Sequence, residues 1–144
     1  MKRYEYYIGI DTGVVTGYAE WHKPSRSLLR VEATMIHRAM ERVKHLKDSG
    51  FDFFVRLEDA RLRKWIPRME TDSRERGRRE GAGSVKRDAS IWEDYLTDLG
   101  IPFELVAPKY NRTKVTHDYF VRLTRWNKPT NEHGRDAATL VFGL

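Results

Sequence analysis

Tyr6-Tyr7-Ile8-Gly9-Ile10-Asp11-Thr12-Gly13-Val14-Val15-Thr16-Gly17-Tyr18 decides the fold. An apolar run leads into one carboxylate, a Thr-Gly pair follows, and a second apolar run begins. Residues before Asp11 read as a strand, because Ile and aromatic side chains pack well on a pleated, half-buried surface. Thr12 and Gly13 can reverse the chain, which then returns through residues 14–22 as a hairpin partner. Asp11 stands at the carboxyl end of a central strand. Two accounts of it are open. It starts the turn, as aspartate commonly does, or it mounts a site where a metal ion offsets the cost of burying a charge.

Beyond the hairpin, Lys23-Pro24-Ser25-Arg26 predicts a turn and Ser27 to Met35 a third strand. Ile36, Met40, Val43 and Leu46 recur at helical spacing, with Gly50 as the stop. Phe51 to Leu57 reads as a buried strand that ends in Glu58-Asp59, so a second strand delivers carboxylates at its carboxyl end. Residues from Ala60 to about Glu80 hold Pro67 and Gly77 without periodicity and predict a basic loop, of the length that is functional or disordered in compact domains. After Gly81-Ala82-Gly83-Ser84, the stripe Val85, Ala89, Trp92, Leu96 and Leu99 predicts an amphipathic helix. Ile101 to Ala107 is the fifth strand. Thr113 is the expected cap of a helix to about Trp126 carrying Val115, Tyr119, Phe120 and Leu123. His133 to Phe142 closes the chain as a short helix.

The 144 residues fit one domain, 1–144. No leader peptide or bilayer-spanning run is read, and the absence of cysteine excludes disulfides and thiolate metal sites. The compartment expected is the cytoplasm. Net charge is +6 and the pI about 9.6, which suggests a polyanionic partner. Residues 61–87 carry ten basic residues (Arg61, Arg63, Lys64, Arg68, Arg74, Arg76, Arg78, Arg79, Lys86, Arg87) against four acids. The remaining chain balances at 17 of each, so the whole surplus lies in one segment.

Three strands, helix, strand, helix, strand and terminal helices make the ribonuclease H-like order. It is an α/β fold whose mixed five-stranded sheet has three antiparallel strands and two parallel ones. That order sets Asp11 and Glu58 at the same ends of neighbouring strands, about 4.8 Å apart. The last helix can lay Asp136 across their tips. The motifs resemble those of RuvC-type Holliday junction resolvases over nearly the whole chain. Ile8-Gly9-Ile10-Asp11-Thr12-Gly13 with Thr16-Gly17-Tyr18 resembles that family's first motif, and Glu58 after an apolar strand resembles its second. Ile101-Pro102 to Ala107-Pro108 with Lys114 resembles the strand and lysine-bearing stretch before its last helix. His133-x-x-Asp136-Ala137 resembles its closing motif, where members carry His or Asp at the first position. Thr12 stands where the family commonly has proline, which suits a divergent branch of phage or mobile-element type.

The resemblance implies a structure-selective endodeoxyribonuclease for branched DNA, active in recombination and repair, dimeric, and using two Mg²⁺ per site, with Mn²⁺ as the other candidate. Asp11 would bridge the ions, and Glu58 and Asp136 would hold one each. His133 would be a further ligand favouring Mn²⁺, a phosphate contact or a proton donor; by its position alone it is a first-turn residue with no such part. Lys114 either neutralises a phosphate or is a surface lysine. Asp59 either supports the ligands or ends a strand in solvent. The ten basic residues and Lys109 are the expected DNA contacts, and Trp65 and Leu62 either wedge between unpaired bases or pack on their own domain. Val85, Trp92 and Leu96 are dimer-interface candidates or ordinary core. Two other functions remain open: a nucleic-acid-binding module without catalysis, and an actin-like nucleotide binder, which would need a second lobe.

Overall fold

The computed structural model describes residues 2–62, 73–108 and 114–144, with the backbone alone for 73–82. Strands β1 (Tyr6–Asp11), β2 (Val15–His22) and β3 (Ser27–Met35) form an antiparallel meander, and helix α1 (Ile36–Asp48) leads to β4 (Phe53–Glu58). A 3-10 turn at Ala60–Leu62 and helix α2 (Ser73–Asp98) precede β5 (Phe103–Val106). Helices α3 (His117–Thr124) and α4 (Glu132–Thr139) follow. The sheet order is β3-β2-β1-β4-β5, with β4 parallel to both β1 and β5. This is the mixed five-stranded sheet expected from the strand pattern. Among the described residues no helix is long and apolar enough to cross a membrane.

Alternation along the strands divides the core between the two faces. Ile8, Ile10, Tyr18, Val55 and Leu57 pack with Val43 and Leu46 of α1 and with Trp92 and Leu96 of α2. On the other face Ala19, Trp21 and Val31 pack with Phe120 of α3 and with Ala137 and Ala138 of α4. Trp92 and Leu96 are thus wholly buried core, which removes them as interface candidates. Glu20 is buried on the α1 face, where the Arg42 guanidinium donates to both its oxygens at 2.9 and 3.1 Å and Tyr18 Oη donates at 2.7 Å. That network seats α1 on β2. Burial, reinforced by the Glu20 charge, pushes the Tyr18 pKa well above its ordinary value.

Two boundaries differ from the sequence reading. Helix α2 begins at Ser73, so residues 73–80 of the expected loop are helical, with Arg74, Arg76, Arg78 and Arg79 on the backbone of the first turns. Arg and Glu are good helix formers, and they outweigh three glycines. Its 26 residues make a helix of about 39 Å at 1.5 Å per residue. A six-residue strand such as β4 covers only about 20 Å, so about half of the helix needs no apolar stripe. Helix α3 starts later than expected, capped by Thr116, whose Oγ1 accepts from Tyr119 N. Thr113 lies outside the described residues, as do Arg63, Lys64, Trp65, Arg68 and Lys109.

Candidate active site

Asp11 and Glu58 are register partners on the parallel pair β1/β4. Alternation sends both to the α4 face: Ile10 and Leu57, their neighbours, point into the α1/α2 core. The turn after Asp11 is tied down by Thr12 Oγ1, which donates to the Glu58 carbonyl at 3.2 Å, and by Thr16 Oγ1, which donates to the Gly13 carbonyl at 2.8 Å. Oε2 of Glu58 is shielded from solvent.

Helix α4 is placed by glycines. Its cap, Asn131 Oδ1, accepts from Gly134 N at 2.9 Å. A methyl group on Gly17 would run into the carbonyl oxygen of His133, and one on Gly9 into that of Ala137. The helix therefore lies directly on the backbones of β2 and β1. Its far end reaches β4, where Arg56 Nη1 donates to the Leu140 carbonyl at 2.6 Å. This course brings His133 Nδ1 to 3.9 Å from Asp11 Oδ2, with Asp136 on the stretch that crosses from β2 to β1. Glycine at 9 and 17 is the feature that strand reading passed over; each is a strand glycine, a signal of close backbone approach.

The structure thus brings Asp11, Glu58 and His133 to one end of one face, with Asp136 on the helix above. Among the described residues no three His, Asp or Glu side chains are gathered closely enough to hold an ion between them. Like charges oppose such gathering by about 4 kcal/mol per pair at 4 Å and an effective dielectric near 20. The donor chemistry nevertheless fits a hard divalent cation, since carboxylate oxygens suit Mg²⁺ and an imidazole nitrogen extends the set toward Mn²⁺.

Asp59 does not end a strand in solvent. It is 1% exposed and lies on the opposite face, held by Arg61, whose Nε and Nη2 donate at 2.9 and 2.7 Å. Arg61 Nη2 also reaches Glu93 of α2 at 3.3 Å, so this arginine joins the end of β4 to α2. Lys114 is exposed and ion-paired with Glu132, next to His133. Lys86 and Arg87 are exposed on α2. Burial alone would raise the Asp59 pKa, but the Arg61 hydrogen bonds and charge outweigh it and hold it below the ordinary value. A depressed carboxylate pKa adds stability above the unfolded value, near 3.9, and loses it as pH falls through the folded one. Asp59→Asn should therefore cost about 2–3 kcal/mol at pH 7, less than a fully buried pair because Arg61 is partly exposed. Urea midpoints should show the gap between variant and parent narrowing below pH 4. A constant gap would overturn the assignment.

Among solved structures, T. thermophilus RuvC in complex with Holliday junction substrate matches with a TM-score of 0.60 at 15% identity, over 94% of this chain and 89% of that one. No protein-family model matches the chain, nor does any curated protein sequence. Strand order, parallel β1/β4 pairing and this superposition agree: the chain has the ribonuclease H-like fold that RuvC has.

Proposed function

We propose that this protein is a metal-dependent, structure-selective endodeoxyribonuclease that cuts branched DNA such as Holliday junctions by phosphodiester hydrolysis, acting as a homodimer in the cytoplasm. The observation that carries the reading is the pairing of Asp11 with Glu58 beneath α4, with His133 3.9 Å from Asp11. Likeness of fold to a RuvC solved with junction DNA supports it. Two divalent cations bound there would lower the pKa of the attacking water and neutralise charge at phosphorus. In this reading Asp11, Glu58 and Asp136 would supply the carboxylate oxygens that hold the ions, and Mg²⁺ would be the first candidate. His133 either completes the ligand set or gives a proton to the leaving oxygen as the phosphorus–oxygen bond breaks. Lys114, beside the first turn of α4, draws a phosphate toward the carboxylates when it exchanges Glu132 for the substrate. A two-fold dimer gives two sites for paired nicks across a junction.

The test is cleavage of labelled four-way junctions and matched linear duplexes with Mg²⁺, Mn²⁺ or EDTA. Paired nicks in the junction with either metal, none in EDTA and a spared duplex are the expected result. Cutting in EDTA, or equal cutting of duplex, would overturn it.

The basic segment supplies a second expectation. Replacing Arg74, Arg76, Arg78 and Arg79 with Ser should weaken junction binding. It should also flatten the slope of log K against log salt by up to roughly 3–4 units, at about 0.9 per phosphate contact. An unchanged slope would leave these four arginines without a part in binding.

A further inference from the structure

The β1–β2 turn is built inside out. Turn tips ordinarily show polar side chains to water, yet here Thr12 and Thr16 are buried with their hydroxyls bonded inward. Val14 and Val15 face solvent instead, 68% and 50% exposed, and Met35 is 56% exposed. Val15 and Met35 are directly paired across β2 and β3, so their side chains share one face. It is the face of the site. Val15 lies two residues from Gly17, the register partner of Asp11, which makes it a diagonal neighbour of Asp11 at about 7–8 Å. Stiff β-branched side chains on a tethered turn lose little freedom on contact.

We propose that Val15 and Met35, with Val14 exposed in the turn beside them, form an apolar platform that packs against the base-pair face laid open at a DNA branch. It thereby selects branched DNA over continuous duplex. This rests on the nuclease reading above. Bases succeed one another every ~3.4 Å along a strand, so a phosphate held at Asp11 and Glu58 leaves the platform within about three bases of it. In continuous duplex each base face is covered by its neighbour, and an apolar surface gains nothing there. At a branch the last pair can be uncovered, and stacking or wedging becomes favourable. The chain's charge of +6 supplies the general attraction to phosphate; the platform supplies the discrimination.

The experiment measures binding in EDTA, where no cutting occurs, to a four-way junction and a linear duplex. The triple variant Val14→Ser, Val15→Ser, Met35→Ser should lower the junction-over-duplex affinity ratio about tenfold. The variant Val15→Ile, Met35→Leu should keep it. 2-Aminopurine at the branch should brighten with the parent protein and not with the serine variant. Val15→Thr, equal in shape and β-branching, carries the test if the triple variant fails to fold, with a smaller fall in the same ratio. An unchanged ratio overturns the proposal, as does equal weakening on both DNAs. A shift in sedimentation of the free protein with the ratio kept would assign the patch to a second copy of the chain and also overturn it. Failure of metal-dependent cutting, by contrast, would remove the nuclease reading while the binding ratio still decides the platform.

Discussion

Asp11→Asn and Glu58→Gln are each expected to lower junction cutting by at least roughly 10³-fold, the rate equivalent of about 4 kcal/mol of lost transition-state stabilisation. Both changes remove a charged oxygen from the end of the β1/β4 pair, where the two residues stand in register. In either variant the turn beside them keeps the hydrogen bonds of Thr12 and Thr16. Binding should move the other way. With metal removed by EDTA, the carboxylates only repel the bound phosphate, so each variant should hold the junction as well as the parent or more tightly. A variant that binds and still cuts would mean the site is elsewhere. A parent that binds in EDTA but never cuts would favour a module for binding alone.

Gly9→Ala and Gly17→Ala are expected to damage both stability and activity. Each added methyl meets a backbone carbonyl oxygen of α4, which has no rotamer to move into. Overpacking of this kind costs about 2–3 kcal/mol per site, or a fall in melting temperature of roughly 5–10 °C for a domain this size. Gly17→Ala should carry the larger loss of cutting, since the atom it strikes belongs to His133, the neighbour of Asp11. Gly83→Ala is the control: nothing lies within 4 Å of its Cβ position on α2. It should raise stability by about 0.5–1 kcal/mol, the usual gain from removing a helical glycine. If Gly17→Ala melts and cuts like the parent, α4 does not rest on β2 as described.

Much of this was legible in the chain because its signals are local. Ser27 to Met35 alternates, Ile36 to Leu46 repeats at helical spacing, and both elements have the expected bounds. Glu58 could be found because a strand reports its own carboxyl end. The start of α2 was not legible, since a helix that outruns the sheet carries no apolar stripe there and its glycines imitate a loop. Asp59 was misread for another reason. Its partner Arg61 stands only two residues on, but Glu93 of α2, which the same arginine reaches, lies 32 residues further, so the burial of Asp59 beside α2 shows in no window of sequence. Gly9 and Gly17 showed as strand glycines, but the helix that needs them comes more than a hundred residues later.

Asp11 and Asp136 are 125 residues apart, 136 minus 11, and α4 is the last helix described. At about 5–20 residues per second of synthesis, roughly 6–25 s separate the two on the ribosome. The meander of β1, β2 and β3 can form early, but Gly9 and Gly17 wait uncovered until α4 emerges. Until then the face that carries Asp11 and Glu58 lacks the helix that lies over it. The order of synthesis thus sets the order of assembly, and this face closes only after translation has passed α4.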